Sequence, residues 1–265
     1  MAGSFASSAA AAGPGAATPS DVAGPIPASP AERRREIDAK LERFRAWLAE
    51  RGHRGAALSA RRNFAWLTAG GDNHVVAASE EGFATLLVTP AGLTVLTTVI
   101  EAARLRDEEL NGLDVEVVGL PWHEPAALDA EIRARAGGPV PRDADLEPEL
   151  AWLRAELLPE EVERLRRLGG ATARAMTDTF THARPGETEL AVAARLAGRL
   201  ADEAIAAPVL LAGADERIAR YRHPIPTRRA IEAALMLVVV AEQGGLHVAM
   251  TRMGWLGGRP DPETE

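Results

Sequence analysis

The sequence contains no cysteine. Disulfides, thiolate nucleophiles and thiolate-ligated zinc or iron–sulfur sites are therefore excluded. An excess of positive charge is also missing. The chain has 30 Lys and Arg against 38 Asp and Glu, a net charge of −8, and offers no basic face for nucleic acid. Its one Arg-rich run, Arg33-Arg34-Arg35, sits among Glu32, Glu36 and Asp38 and reads as a solvated helix face. No apolar run approaches the roughly 20 residues needed to span a bilayer. There is no Gly-x-Gly-x-x-Gly or phosphate-loop pattern for a nucleotide, and no Gly-x-Ser-x-Gly elbow for an α/β-hydrolase. The expectation is a cytoplasmic protein with neither nucleic acid nor membrane among its partners.

Compact metal spacing is absent as well. The six histidines are His53, His74, His123, His182, His223 and His247, and no two form a His-x-x-x-His pair. His53 follows a helix end and reads as a surface residue. Asp72-Asn73-His74 has residue types suited to a metal corner, but it follows Gly70-Gly71 and reads better as a polar turn. His123 falls in a strand-to-helix loop. His182 sits at a helix C-terminus, where positive charge is favourable. His223 precedes Pro224, which biases its backbone to an extended form, and it leads into an apolar hairpin. It is the one histidine with a catalytic reading, as a general acid/base.

What is present is a sequence rich in alternating elements. Residues 1–29 are mostly Ala, Gly, Ser and Pro and bury too little apolar surface to offset ordering, so a disordered tail is expected. Ser29-Pro30 opens a helix with Ile37, Leu41, Phe44 and Leu48 on one face, closed by Gly52. Short strands at Gly55–Ser59, Phe83–Val88, Leu93–Thr97 and Val115–Val118 alternate with helical segments at Asn63–Thr68, Ile100–Leu110 and Pro125–Ala136. That alternation predicts an α/β domain over 30–148, ending in the Gly-, Pro- and Asp-rich stretch Gly137–Pro148.

A second domain is expected over 149–265. Pro159–Thr181 reads as a long amphipathic helix whose Glu160–Arg164 and Glu163–Arg167 spacings make solvated i,i+4 pairs. Thr188 caps a further helix over Glu189–Ala206, and Pro208–Leu211 reads as a strand. Met236–Glu242 and Leu246–Arg252 are β-branched and apolar around Gly244-Gly245, the signature of a hairpin.

Several segments, in this order, resemble the M24 peptidase family, the group of Xaa-Pro aminopeptidases, prolidases and creatinases. Asn63-Phe64-Ala65-Trp66-Leu67-Thr68-Ala69-Gly70 resembles a segment of its creatinase-like N-terminal domain. Pro159-Glu160-Glu161-Val162 to Leu168 resembles the helix that opens the catalytic domain. Arg184-Pro185-Gly186-Glu187-Thr188-Glu189, His223-Pro224-Ile225-Pro226-Thr227 and Gly245 to Thr251-Arg252 resemble the loop, histidine and strand motifs that follow. The resemblance implies a mixed α/β (α+β) fold, with a creatinase-like N-terminal domain and then the first half of a pita-bread domain.

It also implies two divalent metals, Mn, Co or Zn, held by two aspartates on the hairpin and by a histidine and two glutamates further on. The aspartate two residues before Thr251-Arg252 corresponds to Ala249, and its fellow eleven residues earlier to Val238. Neither side chain ligates a metal. Glu242 and His247 are near but off the pattern. The other three ligands would lie beyond Glu265, so the resemblance implies an incomplete domain. No cofactor is expected, and metallopeptidase activity is expected to be lost, which leaves a non-catalytic binding or scaffold module as one alternative. In creatinase, a metal-free relative, His223 matches the acid/base histidine, which implies an alternative C–N hydrolysis. Expected partners are a small peptide or amidino compound, and a second copy in a homodimer.

Overall fold

A computed structural model describes residues 29–256. The tail expected over 1–29 lies, but for Ser29, outside the described residues. Ser29 caps helix α1 (Pro30–Glu50) as its sequence predicts. Its hydroxyl accepts from Glu32 N at 3.3 Å, and Glu32 returns a bond to Ser29 N at 2.8 Å. The strands β1 (Ala56–Ala60), β2 (Glu81–Thr89), β3 (Gly92–Thr98) and β4 (Glu116–Leu120) form one sheet in chain order. The first three are antiparallel and β4 runs parallel to β3. Between them lie α2 (Arg61–Leu67) and α3 (Ala102–Arg104), which continues into a π turn at Leu105–Glu109. α4 (Ala127–Ala136) follows β4.

The face of α1 carrying Ile37, Leu41, Phe44 and Leu48 packs on Leu58, Leu86 and Val88 of the sheet and on Phe64 and Trp66 of α2. Two short helices, α5 (Asp143–Leu146) and α6 (Glu149–Ala155), complete this unit. Leu150 of α6 is fully buried in the same core, so the first core runs past the boundary expected at 148.

The second core is separate. α7 (Pro159–His182) and α8 (Glu189–Ala201) cover one face of a three-stranded antiparallel sheet, β5 (Ala206–Ala214), β6 (Ala234–Gln243) and β7 (Leu246–Trp255). α8 stops five residues short of the end expected from periodicity. Ala204 takes a left-handed φ of 54° there, and Ala206 already opens β5. A further short helix, α9 (Glu216–Arg220), joins β5 to the His223 segment. No described helix is long and apolar enough to cross a membrane.

The two cores are joined by buried charge that the sequence pattern hides. Lys40 of α1 is the chain's only lysine and is 0% exposed. Its ammonium donates to Glu36 at 2.6 Å, to Glu161 of α7 at 2.8 Å and to the carbonyl of Trp66 at 2.8 Å. Arg164, also on α7, forms a fork on Glu36, with one arm at 2.8 Å. Two sequence expectations fail here. Arg164 leaves Glu160 for Glu36, and Arg33, read as solvated, is buried and donates to the carbonyls of Thr68 and Glu109 at 2.9 Å each. Helical spacing predicts neighbours on one helix, and it is silent about a second helix that brings the complementary charge. Burial works to raise the Glu36 pKa, but Arg164 and Lys40 outweigh it and hold this carboxyl below its ordinary value.

Candidate functional site

The sheet of the second domain has two unlike faces. Alternation places Leu235, Leu237, Val239 and Ala241 against α7 and α8, where all four are buried. The other face carries Met236, Val238, Val240 and Glu242. Register fixes their neighbours: Val238 lies opposite Leu211 and Thr251, Val240 opposite Val209 and Ala249, and Glu242 opposite His247. Directly paired residues point to the same side of a sheet, so all of these share one open face. Val238 and Ala249 are diagonal neighbours on it. Two side chains there would reach a common point, as paired ligands must.

The donor set does not suit a hard or borderline cation. Around Val238 and Ala249 the open face offers Leu211, Val209, Val240 and the hydroxyl of Thr251. Glu242 and His247 lie one cross-strand pair beyond Ala249, at the turn, and Glu242 Oε1 accepts from Gly245 N at 2.8 Å. Among the described residues no group of three or more His, Asp or Glu side chains is placed to hold a metal. No step can be derived through metals on this face.

His223 lies at the other end of the same face. Pro224 packs over Gly213, where a Cβ would come within 2.7 Å of the proline ring, and Gly213 is the β5 partner of Met236. His223 itself is exposed. Its loop is held by Glu189, which is fully buried at the first position of α8. That carboxylate accepts from Thr227 N at 2.9 Å, from the Thr227 hydroxyl at 2.7 Å and from Ala214 N at 2.9 Å, and it also pairs with Arg217. Arg217 in turn donates to the carbonyl of Ile225 at 3.0 Å. Sequence reading takes Thr188-Glu189 for a helix start, which it is, since Thr188 Oγ1 accepts from Ala191 N at 3.2 Å. The anchoring role of Glu189 has no local signal, because its partners come from β5, α9 and the His223 loop.

Asp215 fixes the entry to β6 in a similar way. It sits at a φ of 52° and accepts from the backbone N–H groups of Glu232, Ala233 and Ala234 at 2.9 Å each. Burial pushes its pKa up, but the three backbone bonds and Arg229 outweigh that and leave it below its ordinary value.

The remaining four histidines fall in four settings. His123 is exposed beside Trp122, His182 bonds the Asp178 carbonyl at 2.7 Å, and His53 is half-buried. His74 forms a short contact from Nδ1 to Asp72, whose other oxygen accepts from His74 N at 2.9 Å, the bond expected of a polar turn.

The tip of the β6–β7 hairpin rests on the first domain. Gly244 and Gly245 both have positive φ, 57° and 77°, as a tight two-residue turn requires. A Cβ on Gly245 would fall 2.5 Å from that of Ala65, and one on Gly244 would fall 3.2 Å from the Cα of Gly70. The glycines therefore serve both the turn and the close approach of the two units.

Comparison with known proteins places this arrangement. No protein-family model matches the chain, and no curated protein matches its sequence. Solved structures do match. They include an X-Pro aminopeptidase from Thermotoga maritima, with a TM-score of 0.63 and 16% identity over 84% of this chain and 67% of the other. The prolidase from Pyrococcus horikoshii OT3 aligns with a TM-score of 0.61 and 13% identity over 85% and 67%. Proline aminopeptidase P II from Yersinia pestis aligns with a TM-score of 0.61 and 16% identity over 86% and 64%. The chain has the Xaa-Pro aminopeptidase fold in part. It spans about two thirds of the length of these proteins. The mixed α/β architecture expected from the motifs, a creatinase-like domain followed by part of a pita-bread sheet, is the one observed.

Proposed function

We propose that this is an M24-like, Xaa-Pro aminopeptidase-like protein without metallopeptidase activity, whose open sheet face serves as a binding or scaffold surface. One observation carries the reading. Val238 and Ala249, which the motif resemblance aligns with two metal-ligating aspartates, are diagonal neighbours on the open face, in an apolar surround. Two-metal hydrolysis needs carboxylates there to hold the ions and to bring a bound water near neutral pKa. Valine and alanine supply neither. The proposed setting is cytoplasmic.

The test is direct. The protein is incubated with Mn, Co or Zn, gel-filtered, analysed for bound metal and assayed on Xaa-Pro dipeptides. The expected result is no stoichiometric metal and no turnover. About two metals per chain together with hydrolysis, as the two-metal mechanism requires, overturns the reading.

A second reading gives His223 the role of acid/base in metal-free C–N hydrolysis of a small amidino compound. Its support is the exposure of His223 on a loop anchored by Glu189 and seated at the edge of the open face through Pro224. Creatine serves as the probe. Turnover that is lost in His223→Ala supports this reading, and turnover that survives the substitution removes His223 from the mechanism.

A further inference from the structure

The hairpin tip and the loop after α2 enclose a cleft of about 440 Å³. It lies at the turn end of β6 and β7, beyond the Val240–Ala249 pair and away from His223. Arg61, Arg62, Asp72 and His74 reach it from the first domain, and Glu242 and His247 from the second. Between them the wall is small and apolar, with Ala65 and Ala77 on one side and Ala207 and Pro208 on the other. A cleft of this size with a few convergent polar groups on an apolar wall has the make-up of a small-molecule site.

The charges are arranged by sign. Asp72 is already engaged, by the backbone and ring of His74 and by Arg61 at 3.8 Å, so it contributes little free negative charge. The contact at Nδ1 orients the His74 ring and leaves Nε2 as its second polar atom. Among the described residues Arg62 makes only long contacts, 3.4 Å to Glu147 and 3.6 Å to Glu80, and its side chain is 44% exposed. Exposed pairs of that kind hold a guanidinium weakly. Across the cleft, Glu242 uses Oε1 for the turn bond to Gly245 N, which does not engage Oε2. One wall thus presents an available cation and the other an available anion, each from a different domain.

The geometry points to a site for a small zwitterion that bridges the two domains, with its carboxylate on Arg62, its ammonium on Glu242 and its short apolar body against Ala65, Ala207 and Pro208. A guanidinium matches a carboxylate with two parallel N–H bonds, and a carboxylate accepts from an ammonium at full charge assistance. His74 and His247 flank the two ends and report occupancy. Through Glu242 and His247 the site takes in the turn end of the open face and so rests on the reading of that face as a binding surface, while the metal and peptidase assays above test the loss of metallopeptidase activity separately from the titration below.

Dialanine is the probe, and dialanine capped by N-acetyl and C-amide groups is its neutral control. Histidine ring signals are followed by NMR during titration. The expected result is a saturable shift of the His74 and His247 signals, with His223 unmoved and no response to the capped peptide. Arg62→Gln and Glu242→Gln, each checked for an unchanged thermal melt, are expected to weaken binding about tenfold or more, the loss of one charged hydrogen bond. The proposal is overturned if the wild-type protein shows no shift, if the capped peptide binds equally well, if the shift appears at His223 instead, or if both folded variants bind as the wild type does.

Discussion

Lys40 and Glu161 stand 121 residues apart in the chain and meet at 2.8 Å, the lysine fully buried and the glutamate nearly so. Glu161 also accepts from Leu158 N at 2.9 Å, so one carboxylate closes the start of α7 and receives the only lysine of the chain. The bond links the two cores. Removing one partner of a buried ion pair leaves an uncompensated charge. Lys40→Met is therefore expected to cost about 3–5 kcal/mol. The exposed pair Glu163–Arg167, at 3.8 Å, provides the contrast: Glu163→Ala should cost less than about 1 kcal/mol. Urea unfolding of the two variants measures both. Similar losses would show that Lys40 is not the link described.

The Gly245 contact gives a second prediction. Gly245 and Gly52 have nearly equal positive φ, 77° and 76°, so alanine strains the backbone alike at both, by about 1 kcal/mol. Of the two, Gly245 faces a wall, the Ala65 side chain, whereas among the described residues nothing lies within 4 Å of a Cβ at Gly52. Gly245→Ala should therefore lower the melting temperature clearly more than Gly52→Ala. It should also increase protease cleavage between the domains, which Gly52→Ala should not.

Stability against pH separates two carboxyls. The folded pKa of Asp215 lies below its ordinary value of 3.8. Its contribution is present above that value and is lost as pH falls through the lower folded value. Glu109 is the reverse. Burial raises its pKa above 4.5 despite the bond from Asp72 N and the charge of Arg104. Its contribution is present below 4.5 and is lost as pH rises through the raised value. Relative to the wild type, Asp215→Asn should thus lose stability as pH rises from the acid side to neutrality, while Glu109→Gln should gain. Thermal melts across that range read the two slopes, and slopes of the same sign would contradict the assignment.

The open face predicts self-association. Among the described residues β7 is an edge strand, and the face it shares with β6 exposes Val209 at 39% and Met253 at 47%. Unpaired strand edges beside apolar surface promote association between copies. Sedimentation of the full chain should show concentration-dependent dimers or larger species. Ala249→Lys, which sets a charge in the middle of the face, should shift the distribution toward monomer. A wild-type chain that stays monomeric at every concentration would refute this.

Much of the fold is legible in the sequence because its signals are local. The Ser29 cap, the face of α1, the Thr188 cap and the Gly244-Gly245 hairpin each follow from a few adjacent residues. The candidate aspartate positions could also be named from sequence, since Val238 and Ala249 are fixed by their distance from Thr251-Arg252. Less visible were the short helices α5, α6 and α9, which are too brief to show a period.

The sequence by itself determined which residue types are available: no thiol, no basic face, and no carboxylate at Val238 or Ala249. Chemistry at a position depends on the side chain there, and no folding alters it. The tertiary structure decided which charges lie inside and with whom. Arg33, Lys40, Glu161 and Glu189 look like surface residues in a helical pattern, yet all four are buried. Each is buried only because a partner arrives from a distant element. The cost of dehydrating a charge is offset by a neighbour in space, and a one-dimensional pattern does not contain that neighbour.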